Sequence, residues 1–156
     1  AARPDIAPIR RTITRPEGAG GEDCETVTAE AFAALRDAGV FALEWGAHGL
    51  AYGIRTEALA PLGAGATLMV NLSRGVLDRA ATLAPAFTIL SLSAAPTVLA
   101  ARLAGRGRES ADQIAARLAR DAGPGDWPGR VVQVSNDGQL DATVAAALAA
   151  LSPARV

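Results

Sequence analysis

Apolar residues change their rhythm along this chain. Up to about residue 66 they come in short, alternating stretches; from Thr67 onward they come in runs without strict alternation. In the first region, 9–14 alternates well enough to predict a strand, and 41–53 predicts two short strands meeting at His48-Gly49. Between them, 17–25 is glycine-rich and acidic and predicts a mobile loop. Thr28 is placed to cap a helix running through Asp37, with Phe32 and Leu35 facing inwards and Gly39 ending it. A further helix is expected over 55–62, ended by Gly63 and Gly65. Residues 1–8 read as the end of a helix followed by a break at Pro8.

In the second region the runs 67–72, 87–92 and 130–135 are predominantly apolar without strict alternation, the pattern of strands buried on both faces of a parallel sheet. Helical segments separate them at 75–84, 96–105, 110–122 and 139–151. Pro96 suits a first-turn position, and Ser110 with Gln113 makes a capping-box start. Strand-helix alternation predicts an α/β domain of three layers with right-handed crossovers.

Composition narrows the chemistry. The 156 residues predict one domain, 1–156. Fifteen basic against sixteen acidic residues leave a net charge of −1, so no basic field argues for nucleic acid or an anionic membrane. No run approaches the roughly 20 apolar residues of a membrane span. Cys24 and His48 are each the sole residue of their type, which argues against a disulfide within the chain and a cysteine–histidine metal site; no metal ligand set is expected. A reducing, cytoplasmic location follows as the default. All fifteen cations are arginines. A coding bias towards Ala, Arg and Gly accounts for that, but it leaves no lysine to serve as a phosphate-binding point charge.

The motifs Arg11-Thr-Ile-Thr-Arg15, Phe41 to Gly53, Asn71-Leu-Ser-Arg74, Arg102 to Ser110, Ile114 to Leu118 and Ser135-Asn-Asp-Gly138 span nearly the whole chain. Their order resembles the guanylate-kinase branch of the P-loop nucleoside-monophosphate kinases, and within it the ribose 1,5-bisphosphate phosphokinases. Guanylate kinases typically carry a serine where Arg11 stands, a tyrosine where Cys24 falls and two aspartates where Asn71 and Ser73 stand. Losing those aspartates speaks against a guanine acceptor, and gaining Arg11 suits an acceptor with a phosphate at each end. Glu44 points the other way, since it matches the guanine-reading glutamate.

The resemblance implies a parallel sheet of the P-loop kinase type, an acceptor-binding subdomain over about 9–62 and a lid over about 102–120. It implies ATP as donor with Mg2+, a small-molecule phosphate acceptor as partner, and allows a homodimer. Arg11 and Arg15 would hold the acceptor, with Glu44, Tyr52, Ser73 and Arg74 lining its pocket. Arg106 and Arg117 would close on the transferring phosphoryl group, and Asn136 would touch the nucleotide. Rival readings stand beside these. Arg11 and Arg15 also suit a solvated strand edge, Arg108 with Asp112 a charged helix pair, Tyr52 and Trp45 core aromatics, Glu44 a surface carboxylate and Asp137-Gly138 a turn. The family's donor loop, glycine-rich with a lysine, has no match; the family places it before position 1. The expectation is therefore a truncated kinase that does not bind ATP productively. The alternatives are a guanylate kinase, or a non-catalytic module that binds a phosphorylated ligand.

Overall fold

The computed structural model describes residues 5–16, 22–84, 86–106, 115 and 125–151. The chain divides into two compact units, Ala1–Pro85 and Ala86–Val156.

The first unit is built on a four-stranded sheet of order β3-β2-β5-β4. Its strands are β2 (Arg11–Ile13), β3 (Cys24–Thr26), β4 (Phe41–Ala47) and β5 (Leu50–Arg55). β2 runs parallel to β3 and antiparallel to β5, and β4 and β5 form the expected hairpin. His48 (φ 53°) and Gly49 (φ 75°) both take the left-handed conformation that a tight two-residue hairpin turn requires. The strand expected over 9–14 is present as the shorter β2. Residues 6–8, expected as the end of a helix breaking at Pro8, form a strand instead: β1 (Ile6–Pro8) pairs in parallel with β6 (Thr67–Met69), and the chain changes sheets before Arg11. The loop expected over 17–25 is corrected at its end, where Cys24 and Glu25, with Thr26, pair along β2; residues 17–21 lie outside the described residues. The glycines suggested a loop; the partners that order its end are distant arginines.

Helix α1 (Ala29–Asp37) starts where the Thr28 hydroxyl accepts the Ala31 N–H at 3.1 Å. It ends in a Schellman motif: Gly39 (φ 68°) donates to the Arg36 carbonyl and Val40 to that of Leu35. The helix expected over 55–62 forms as a 3-10 helix (Thr56–Ala64) that runs two residues further. Gly65 stops it. A short 3-10 turn (Arg74–Val76) then leads into α2 (Leu77–Ala81), shorter than the expected 75–84.

Alternation gives the sheet two chemically different faces. One carries Arg11, Ile13, Leu43, Trp45, Tyr52 and Ile54, among which Ile13, Leu43 and Ile54 are fully buried. Phe41 and Gly53 lie on the other. There the Phe41 ring stacks on Phe32 of α1, centroids 4.7 Å apart, seating the helix on the sheet.

The second unit pairs β7 (Thr88–Ser93) with β8 (Arg130–Ser135) in parallel, from Thr88 opposite Arg130 to Ser93 opposite Ser135. Two of the predominantly apolar runs thus form the expected parallel strands. Helix α3 (Pro96–Arg106) follows β7 and opens on Pro96 as expected, and α4 (Leu140–Leu151) follows β8. The expected helix over 110–122, with its capping box, lies outside the described residues, as does most of the expected lid.

Candidate functional site

Register brings the chemistry of the first unit together. Tyr52 sits opposite Ile13 on one side and Trp45 on the other, so its ring lies on the same face as Arg11. The Arg11 guanidinium lies 5.1 Å from the centre of the Tyr52 ring. Tyr52 stacks on Trp45 with centroids 5.4 Å apart and planes within 9°. The Trp45 Nε1–H donates to Ser73 Oγ at 2.8 Å, fixing the far end of the stack. A cation held over an aromatic face is stabilised by the ring quadrupole.

Acidic partners hold the arginines at this edge. Arg11 is only 8% exposed; its Nε donates to Glu22 Oε1 at 2.9 Å and its second guanidinium nitrogen pairs with Glu22 Oε2. Arg10 pairs with Asp23 at 2.9 Å. Arg15 donates to Cys24 Sγ at 2.9 Å, while its Nε is buried without a hydrogen-bond partner among the described residues. Among the described residues, three arginines therefore meet two carboxylates here, leaving positive charge and an unused donor.

The opposite face holds a separate ionic group. Glu25 accepts from Arg55 at 2.8 and 2.6 Å and from the fully buried Thr12 hydroxyl at 2.6 Å. The Arg55 hydrogen bonds hold the Glu25 carboxyl below the usual range, against the opposing effect of burial.

Not every expected site residue joins the Arg11 cluster. Glu44 pairs opposite Gly53, on the face away from Tyr52. It lines an open cleft of about 760 Å³ with Thr14, Phe32, Ala33 and Arg36, and its Oε2 is buried without a hydrogen-bond partner among the described residues. Ser73 already accepts the Trp45 N–H, and Arg74 opens the 3-10 turn just after it. Arg106 ends the described part of α3; its side chain, and Arg117 altogether, lie outside the described residues. Glu22 was not singled out from sequence. Its only signal was acidity within a glycine-rich segment close behind Arg11 and Arg15.

In the second unit, Asn136 stands just past β8. Its carbonyl accepts from Arg102 at 2.6 Å, and Thr143 Oγ1 lies 3.2 Å from its Oδ1. Asp137 accepts from the Ser135 hydroxyl and from the Ala95 N–H, tying the start of α3 to the end of β8. Those bonds, the serine first, hold its carboxyl below the usual range. Among the described residues no group of three histidine, cysteine or acidic side chains could hold a metal ion. No described helix is long and apolar enough to cross a membrane.

The class is an α/β protein of the guanylate-kinase fold. The crystal structure of guanylate kinase from Anaplasma phagocytophilum matches 94% of this chain and 76% of its own length with a TM-score of 0.64. At 17% identity that likeness speaks for the fold alone. No family model matches the chain. Full-length relatives are more specific. A ribose 1,5-bisphosphate phosphokinase PhnN from Ruegeria sp. (strain TM1040) is 46% identical over 156 residues, covering 99% of this chain and 82% of the relative. The protein of the same name from Brucella melitensis biotype 2 is 42% identical over 90% of this chain and 73% of its own length. A bifunctional ribose 1,5-bisphosphokinase-thymidine phosphorylase from Cupriavidus necator is 41% identical over 94% of this chain, which spans 24% of that longer protein. The chain belongs to the ribose 1,5-bisphosphate phosphokinase family.

Proposed function

We propose that the protein serves the ATP-dependent phosphorylation of ribose 1,5-bisphosphate to 5-phosphoribosyl 1-diphosphate, a phosphotransfer belonging to phosphonate breakdown. The observation that carries this reading is the 46% identity along 99% of the chain to a relative bearing that name. In this reaction an oxygen of the C1 phosphate bonds to the γ-phosphorus of ATP, and the bond from that phosphorus to the bridging oxygen of ADP breaks. The attacking oxygen is already ionised, so no side chain has to accept a proton. What the protein must supply is position and positive charge.

Arg11 and Arg15 hold a phosphate of the acceptor in this reading. The buried, unpartnered Nε of Arg15 and the positive balance of the cluster support it. Tyr52 backs Arg11 and walls the pocket. Ser73 and Arg74 border the far end of the stack, Arg106 and Arg117 neutralise the transferring group, and Asn136 meets the nucleotide. ATP supplies the phosphoryl group. Mg2+ would arrive with ATP, held mainly by the donor's phosphates and water, and would neutralise charge on them; among the described residues no group of three acidic, histidine or cysteine side chains would hold it by protein ligands alone. Glu44, on the opposite face, has no part in holding the phosphate. The protein acts in the cytoplasm in this reading, and sedimentation tests whether it does so as a homodimer.

Calorimetric titration with ribose 1,5-bisphosphate and with GMP tests the reading. Binding of the bisphosphate, weakened but still measurable in Arg11→Ala and in Arg15→Ala, is the expected result. GMP binding in its place, or no binding of the bisphosphate, would overturn it.

A further inference from the structure

We propose that Glu22 is a positioning residue for Arg11, holding the guanidinium over the Tyr52 ring so that its remaining edge faces the acceptor phosphate. The inference rests on the reading of Arg11 given above. A guanidinium has five N–H donors set around a plane. Glu22 engages the side of that plane formed by Nε and one terminal nitrogen. The donors of the other terminal nitrogen stay clear of this pair and can address a phosphate. The same group lies over the Tyr52 ring, 5.1 Å from its centre. The paired bonds to Glu22 and the neighbouring ring leave the guanidinium little freedom to turn. The ring is itself held, by the Trp45 stack and the Trp45–Ser73 hydrogen bond.

Charge decides between this role and its opposite, in which Glu22 merely occupies the place of the substrate. The Arg11 and Glu22 side chains are 10% and 30% exposed. A cation that sheltered is costly to leave unpaired. Without Glu22 it would swing towards water and lose the Tyr52 face. Glu22 repels an incoming phosphate, but its greater exposure screens that repulsion. Losing the geometry of Arg11 therefore outweighs relief of the repulsion.

The test is a double-mutant cycle on affinity for ribose 1,5-bisphosphate, read by calorimetry, with thermal unfolding run on every variant. Glu22→Ala should weaken binding about three- to tenfold, the range expected for ordering one long side chain at a binding site. Glu22→Gln, which keeps an oxygen acceptor, should recover part of the loss. In an Arg11→Ala background, Glu22→Ala should change nothing further, because its effect passes through Arg11. Unchanged or tighter binding in Glu22→Ala overturns the proposal, as does an additive loss in the double variant. If Arg11→Ala binds as the unaltered chain does, the assignment of Arg11 fails and takes the proposal with it. If the unaltered chain does not bind the bisphosphate, the functional reading itself has failed and the proposal falls with it.

Discussion

Among the described glycines of the first unit, Gly53 has the least room for a side chain. A Cβ there would lie 2.5 Å from Phe41 Cε1, 2.6 Å from Cδ1 and 2.9 Å from Cζ. These are ring atoms, and the ring is stacked on Phe32 at 4.7 Å, so the phenyl group cannot give way without disturbing the seat of α1. The Gly53 backbone is not in the left-handed region, so sterics alone set the outcome. Overpacking of this kind typically costs about 1–3 kcal/mol. For a chain of this size that corresponds to a fall in Tm of roughly 2–12 °C. Gly53→Ala should show that fall in thermal unfolding, with a matching loss in urea midpoint. Phe41→Leu should destabilise the unaltered chain but much less the Gly53→Ala variant, since the smaller side chain relieves the clash. An unchanged Tm in Gly53→Ala, or additive losses in the double variant, would refute the packing argument.

Three further outcomes can be checked on the same material. Ser73→Ala leaves the buried Trp45 N–H without its acceptor, and should cost about 1–3 kcal/mol in urea unfolding; Ser73→Thr should restore most of it. Thr28→Ala removes the cap of α1 and should cost about 1 kcal/mol in the same assay. The lowered carboxyl of Glu25 gives acid sensitivity with a defined sign. As pH falls, the unfolded chain takes up the proton near the usual value of 4.5, before the folded chain does. The stabilisation is complete above that value and is lost as pH falls through the lowered folded one. Glu25→Gln should flatten this acid limb of the stability profile, and an unchanged acid limb would contradict the assignment.

Local signals carried much of this architecture. The hairpin at His48-Gly49 was readable because two left-handed residues between apolar stretches leave few alternatives. α1 was readable from Thr28 and Gly39, which satisfy its ends locally. The parallel pairing of β7 with β8 showed in their predominantly apolar runs. What stayed hidden depends on partners far along the chain. β3 looked like a loop because three contacts across the sequence order that region: Arg11 with Glu22, Arg10 with Asp23, and Thr12 with Glu25. The site was legible in part, since Arg11 and Tyr52 were expected together and do meet. That Glu44 faces away from them follows from register, which alternation along a single strand leaves undetermined.

The parallel stack of Tyr52 on Trp45 has an optical consequence. Tyr52 is the only tyrosine in the chain, and its ring lies 5.4 Å from an indole. Excitation absorbed by the phenol passes to the indole before it can be emitted, so the folded protein shows almost no tyrosine fluorescence. Opening the hairpin separates the rings and lets the phenol emit. Emission from that single phenol thus reports whether the β4–β5 ribbon is closed.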